Sequence, residues 1–319
     1  MFGFFQKKDK YTIKHLQRLH NDIHGLIRKP VSRRSEAQLI DALKQVSELL
    51  VWGDQHSEQF FEFFCEKNMM AEFVNVVNQG WSNRVKNQTI QTVFILLTNV
   101  TRRTSLFFML SNNHVNRFIT TPFDLTDDDI LGHWVSLVKA LSNNLNAETI
   151  QFFFNLFLPH NKFPLYSQSI CHFAHENRMV RIAVRTITLN VFRVASTEDD
   201  LRKWLLELPQ GNYLGDVVRY TCLQASEFAE FLAIVGRGEY GVLEEQMNGL
   251  VDQLFYLQDV MDQGIEEFTD LLVRSLKEHL ILGQLVQALG VLFRSRAYKA
   301  AKLDPGAGGD ATPSSGRFS

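Results

Sequence analysis

Apolar residues recur at three- and four-residue spacing through most of the chain, and this pattern predicts α-helices rather than strands. The clearest case lies at residues 178–192. One predicted face carries Val180, Val184, Ile187 and Val191, and a second apolar row lies beside it. The second row consists of Met179, Ile182, Ala183 and Leu189. We therefore predict a central helix that packs against neighbours on most of its sides.

The same periodicity predicts helices along the rest of the chain, separated by short polar turns. Their predicted spans are about 11–28, 35–53, 58–67, 69–77, 85–100, 105–110, 127–144, 147–158, 164–172, 196–209, 212–235, 242–263 and 268–300. Ser35 and Thr126 are the expected N-caps of two of them, and Gly53 is the expected C-terminal glycine of the 35–53 helix.

Helices of this length with no alternating strand pattern predict an all-α fold. Several are apolar on two faces, as in an armadillo/HEAT-like helical array of degenerate repeats. A compact irregular helical domain is the alternative. The expected organisation is a flexible N-terminus at 1–10, a repeat domain at 11–302 and a disordered Gly- and Pro-containing tail at 303–319.

Composition places the chain among ordinary globular proteins. Of its 319 residues, 45% are hydrophobic and 21% are charged, and the net charge of −2 gives no overall field that favours nucleic acid. Three widely spaced cysteines do not form a disulfide scaffold or a zinc-finger pattern. Because residues 1–10 also lack a signal-peptide core, we expect a cytosolic protein.

Three arginines, Arg178, Arg181 and Arg185, follow i, i+3, i+7 spacing on the central helix. One interpretation is structural, with the guanidinium groups bound to carboxylates or helix-end carbonyls of neighbouring repeats; Asp54 and Glu66 are candidate acceptors. The other interpretation is a binding surface for an acidic peptide of a protein partner. The structural interpretation is favoured.

Candidate catalytic and metal chemistry is sparse. Cys171 and His175 share a helical face and lie beside His172, but a structural zinc site needs four ligands, and the end of a helix is the favoured interpretation. No RING-type Cys/His pattern, catalytic triad motif or phosphate-binding loop is recognisable. We therefore expect a protein that is not an enzyme and that uses no metal or other cofactor.

Two segments combine apolar and basic residues as interfacial membrane contacts do. The first is the N-terminal decapeptide, and the second is an apolar stretch at 280–293 with cations after it, which is also suited to cover the end of a helical array. The candidate membrane-contact residues are Phe2, Phe4, Phe5, Lys7, Lys8, Arg294 and Arg296.

Residues 179–191 resemble the signature of the eukaryotic FPL-domain family. Four other similar segments occur in order, at residues 52–55 (Trp-Gly-Asp-Gln), 63–69, 110–113 and 163–166, the last of which contains Phe-Pro-Leu. The resemblance implies a peripheral protein of endosomal, Golgi and autophagic membranes, associated with lysosome-directed trafficking and with a tethering complex or small GTPase. Promotion of nucleotide exchange on such a GTPase, or a role in a ubiquitin ligase, are the alternatives.

Overall fold

The computed structural model describes residues 10–158, 162–208, 213–234 and 240–285. Within these ranges the regular structure is helical, which confirms the predicted all-α class. The chain divides into two compact units between Leu208 and Pro209. The expected single domain at 11–302 therefore spans both units.

Eleven α-helices form the described part of the first unit. They are α1 (Ile13–Ile27), α2 (Arg33–His56), α3 (Gln59–Glu66), α4 (Met69–Asn78), α5 (Asn83–Asn99), α6 (Arg103–Leu110), α7 (His114–Ile119), α8 (Asp128–Asn143), α9 (Pro164–Ile170), α10 (Arg178–Ala195) and α11 (Asp199–Glu207). Short 3₁₀ turns lie at Ser111–Asn113 and Ile150–Phe152. The central helix predicted at 178–192 is thus present as α10.

The longer helices of this unit pack side by side in chain order. Helix α1 contacts α2, and the row continues through α5 and α8 to α10. A second row of shorter helices, α4, α7 and α9, packs against it. Such a two-layer order is consistent with an armadillo-like array, because each inner helix buries one side against the helix before it and another against the helix after it.

Polar side chains link neighbouring helices of the long row. Asn190 on α10 donates hydrogen bonds to Asn143 Oδ1 at 3.0 Å and Ser142 Oγ at 3.1 Å, both on α8. Gln91 on α5 and His133 on α8 lie within hydrogen-bond distance, 2.8 Å. These bonds fix the register between helices that apolar packing alone would allow to slide.

The second unit contains α12 (Tyr213–Ile234), α13 (Tyr240–Met261) and α14 (Glu266–Leu276), which pack against one another. A π-helical segment, Lys277–Leu285, follows α14 directly. The hydroxyls of Tyr213 and Tyr256 lie 3.1 Å apart in the buried contact between α12 and α13.

Two predicted N-caps are wrong, one by three residues and the other by one. Ser32, not Ser35, caps α2: its hydroxyl accepts from Ser35 N at 3.2 Å, while Ser35 Oγ accepts from Ser32 N at 2.8 Å, which is a capping box. At α8 the cap is Asp127, whose carboxylate accepts from two amides of the first turn, and Thr126 donates instead to Asp124.

The predicted helix at 147–158 is also wrong. Only Ile150–Phe152 is helical there, as a single 3₁₀ turn, because Asn146 and Thr149 form local hydrogen bonds with nearby backbone amides. The chain then runs irregularly, and Phe157 is 97% exposed. The spacing of phenylalanines in this segment therefore suggested a helix that does not form.

Several predictions lie outside the described residues. They are residues 1–9 of the N-terminus, the part of the 268–300 helix beyond residue 285, the tail at 303–319, and all seven candidate membrane-contact residues. No helix within the described ranges combines the length and apolarity needed to cross a membrane.

Candidate partner-binding site

The first turn of α10 is fixed by its cap. Asn177 is the N-cap, and its Oδ1 accepts a hydrogen bond from Met179 N at 2.9 Å. From this turn onward the predicted first apolar row is buried, with Val180 at 3% and Val191 at 0% exposure. The second row is less covered than expected. Met179, which belongs to it, is 69% exposed.

The exposed Met179 lies at a groove between α8 and α10. The groove has a volume of about 560 Å³. Its α10 wall includes Met179, Ile182 and Ala183, and its α8 wall includes Leu131 and Val135. Since Leu131 also packs with Val180 and Val184 in a buried cluster, the floor of the groove is part of the core.

The two ends of the groove differ in charge. Asp128 lies at the α8 N-terminus and Lys139 lies eleven residues further along the same helix. At 1.5 Å per residue the two positions are about 16 Å apart along the axis, roughly three helical turns. The groove is therefore apolar in its middle and oppositely charged at its ends, the pattern expected for a site that fixes the direction of a bound segment.

The arginine stripe lies on another side of α10. Arg181 is two residues from Met179 and hence about 200° around the helix from it. Its Nη1 donates to the carbonyl oxygens of His175 and Glu176, each at 2.6 Å, in the loop before the helix. Arg178 is exposed and Arg185 is half-buried. The structure thus places none of the three in the groove.

The two carboxylates considered as arginine acceptors have other partners. Asp54 is 1% exposed, and its Oδ2 accepts from Thr101 N at 2.7 Å and from Arg102 N at 3.2 Å. Glu66 forms an ion pair with its neighbour Lys67. Asp54 therefore fastens the end of α2 to the segment that leads into α6.

Burial by itself raises the pKa of Asp54. The hydrogen bonds that its carboxylate accepts from Thr101 and Arg102 outweigh this effect and hold the pKa below its ordinary value. The group is consequently ionised at neutral pH and accepts its hydrogen bonds through Oδ2, which suits a structural role.

Residues 171–175 follow α9 and do not gather into a metal-binding group. Cys171 is exposed and its Sγ donates to Ser167 O at 3.2 Å, while His175 Nδ1 accepts from Asn177 N. The His172 ring packs edge-on against Trp134, with centroids 5.5 Å apart. Burial, followed by the charge of His175, lowers the pKa of His172. These side chains finish a helix and the loop after it, as the sequence interpretation favoured.

Sequence reasoning missed the groove because it assigned both apolar rows of the signature helix to the core. The available signal was the position of Met179 in the first turn, directly after the Asn177 cap, where a helix has packing neighbours on fewer sides. A second signal was Gly132 on α8, a small residue on an exposed face.

Comparison with known proteins supports the resemblance to the FPL-domain family. Residues 43–192 match the family FPL, described as "Uncharacterised conserved protein". The chain is 34% identical over 280 residues to the Drosophila melanogaster "Protein CLEC16A homolog", an alignment covering 86% of this chain and 25% of the relative. Against the Homo sapiens "Protein CLEC16A" the identity is 33% over 289 residues, covering 88% and 26% respectively.

A plant relative matches over a longer stretch. The Arabidopsis thaliana "Protein TRANSPARENT TESTA 9" is 29% identical over 311 residues, covering 95% of this chain and 36% of that protein. The chain thus spans about a quarter to a third of the length of these relatives. The α8–α10 groove, including the α10 signature, lies inside the matched region. On the FPL match and on these alignments over most of its length, the chain belongs to the FPL-domain family.

Proposed function

We propose that this chain is a noncatalytic helical scaffold of endosomal or Golgi membrane trafficking and autophagy, which binds a trafficking protein through the α8–α10 groove. The observation that carries the proposal is the exposed apolar groove around Met179 within the FPL region. Methionine adapts its shape to a bound apolar surface better than branched side chains do, and it is frequent at protein-binding grooves.

The dimensions of the groove favour a short amphipathic segment of the partner. About three turns of helix match the distance between Asp128 and Lys139. We expect the partner segment to place apolar residues against Met179 and Ile182, a cationic residue near Asp128 and an acidic one near Lys139. A tethering complex or a small trafficking GTPase is the proposed source of that segment.

Contact with the membrane is proposed through the termini. The phenylalanines at positions 2, 4 and 5 would insert between lipids while Lys7, Lys8, Arg294 and Arg296 meet anionic headgroups. Flotation with phosphatidylserine-containing vesicles should fall sharply for a chain with serine at the three phenylalanine positions. Equal flotation of both proteins would remove this part of the proposal.

The groove can be tested from both of its walls. Met179→Asp places a charge in the apolar middle, and Gly132→Arg fills the groove from α8, where an added Cβ meets no atom within 4 Å. Met247→Asp on α13, also an exposed methionine, is the matched control. Quantitative affinity capture from cells, with circular dichroism of each purified protein, compares the three variants with the unchanged chain.

We expect both groove variants to lose the same trafficking proteins by at least tenfold while Met247→Asp retains them. Direct binding of a purified partner with the same order of affinities would then identify it. If folded Met179→Asp and Gly132→Arg capture the unchanged set of proteins, the groove is not the binding site and the proposal is wrong.

A further inference from the structure

A cluster of two histidines and one glutamate lies on the first unit, away from the α8–α10 groove. His20 and His24 are four residues apart on α1, so their imidazoles project from the same face. Glu72 belongs to the first turn of α4, which packs against α1. Asn68, with a left-handed φ of 49°, makes the tight turn that brings α4 back beside α1.

The three side chains converge on a common point. Glu72 Oε1 lies 2.5 Å from His24 Nδ1 and 3.7 Å from His20 Nε2. Among the His, Cys, Asp and Glu side chains of the described ranges, these three bring their ligand atoms within 4.8 Å of one another. Ligands of a tetrahedral zinc ion, bound at about 2.0–2.1 Å, are roughly 3.3 Å apart, and both Glu72–histidine separations are within about 1 Å of this value.

The surroundings of Glu72 support a cation better than a simple ion pair. Its side chain is 14% exposed, and in the part of the chain that the structure describes Oε2 is buried without a hydrogen-bond partner. The contact with His24 occupies Oε1 alone. A buried carboxylate oxygen left without a partner destabilises the fold, and a divalent cation held by the carboxylate and both imidazoles would compensate its charge directly.

The shell around the cluster orients the ligands. The rings of His20 and Phe63, the latter on α3, make a T-shaped contact with centroids 5.6 Å apart, and His20 is 9% exposed. His24 has 41% of its side chain exposed, which leaves a path for an ion from solvent. One ligand is thus held in place by packing and another can move.

We propose that His20, His24 and Glu72 form a zinc-type divalent metal site that clamps α1 to α4. Two imidazoles and a carboxylate are a ligand set that Zn²⁺ uses, with a water in the fourth position. The residue after His20 is Asn21, whereas the helical His-Glu-x-x-His motif of metalloproteases carries its glutamate base there. The site therefore serves stability or metal-dependent regulation of the helical array, not hydrolysis.

The test uses the purified full chain, stripped with a chelator and titrated with ZnCl₂ against a chromophoric zinc indicator. Variants are His24→Gln and Glu72→Gln. His15→Gln is the matched control on the same helix, because His15 bonds Gln45 instead of the cluster. A His175→Gln variant reports on the residues near Cys171. Since His24 is partly exposed, its replacement should leave the fold intact, which circular dichroism checks.

We expect one zinc ion per chain, bound with a dissociation constant below about 1 µM. The zinc affinity should fall at least 100-fold in His24→Gln and Glu72→Gln and should not change in His15→Gln or His175→Gln. Zinc at a hundredfold excess over its dissociation constant should raise the melting temperature of the unchanged chain by about 5–10 °C. Binding weaker than about 10 µM, binding unaffected in folded His24→Gln, or binding lost in His175→Gln would each overturn the proposal.

Discussion

Replacing Asp54 by alanine should destabilise the first unit by about 3–5 kcal/mol. The carboxylate is 1% exposed, and Oδ2 accepts hydrogen bonds from Thr101 N at 2.7 Å, Thr101 Oγ1 at 2.9 Å and Arg102 N at 3.2 Å. Each hydrogen bond to a charged acceptor contributes about 1.5–3 kcal/mol. The loss of stability should be smaller than the sum of the three hydrogen bonds, because Thr101 is exposed and water can replace part of its bonding to Asp54.

The charge of Asp54 makes this contribution depend on pH. The folded-state pKa lies below its ordinary value, so the stabilisation is complete above the unfolded pKa of about 3.9 and is lost as the pH falls through the folded pKa. Asp54→Asn retains a carbonyl acceptor without a charge. We therefore expect it to lose less stability than Asp54→Ala at pH 7, and its deficit relative to the unchanged chain should shrink below about pH 4.

Tryptophan fluorescence during urea unfolding measures this unit selectively, because Trp52, Trp81, Trp134 and Trp204 all lie before Pro209. Asp41→Ala is the control. Asp41 is exposed and accepts one hydrogen bond, from Gln45, so its loss should change the unfolding free energy by less than about 0.5 kcal/mol. If Asp54→Ala costs under about 1 kcal/mol, or no more than Asp41→Ala, then Asp54 does not fasten α2 to α6 as argued.

Two further predictions concern local packing and capping, measured in the same assay. Gly53→Ala should destabilise the unit by about 1–3 kcal/mol, because the added Cβ would lie 2.5 Å from Phe60 Cβ and Cγ. Gly25→Ala, whose added Cβ would meet no atom within 4 Å, should be neutral or stabilising. Equal effects of the two substitutions would contradict the close approach of Phe60 to Gly53. Asp127→Ala should cost about 0.5–2 kcal/mol and Thr126→Ala less than about 0.5 kcal/mol; the reverse order would show that Thr126 is the cap after all.

Helix positions were predictable where apolar spacing continued over several turns. Helix α10, expected at 178–192, spans Arg178–Ala195, and its first apolar row is buried as predicted. Turns with a positive φ also lie at asparagines. Asn68 separates α3 from α4, and Asn112 and Asn113 form the turn before α7. Asparagine tolerates the left-handed region better than other non-glycine residues, so a local property was enough.

Some features were not predictable because a contact outside the local sequence pattern decides the outcome. Gly53 was expected to end a helix, but α2 continues to His56, and the glycine is needed because Phe60 packs against its backbone. Likewise the spacing of His20 and His24 is visible in the sequence, while the approach of Glu72, 48 residues later, depends on how α4 packs on α1. No periodicity within one helix contains that information.

The segments that identify the family lie mostly at junctions between helices. In residues 52–55, Trp52 stacks on His56 with centroids 4.3 Å apart, and Asp54 accepts hydrogen bonds from the segment that leads into α6. In residues 163–166, Pro164 begins α9 and Tyr166 packs against Phe192 of α10, with centroids 6.3 Å apart. Residues 63–69 and 110–113 contain the left-handed turns. Each of these side chains is used by the fold itself.

On the proposed function, partner binding depends on positions that the fold leaves open. Within the FPL region, Arg181, for which a structural role was favoured over partner binding, donates to two carbonyls of its own loop. Met179 on the same helix is 69% exposed beside an apolar groove. Arg181→Glu should therefore act mainly by loosening the start of α10, and Met179→Asp mainly on partner capture. On the proposed function, the family signature carries a structural residue and a binding residue on one helix, because its two sides, about 200° apart, contact different surroundings.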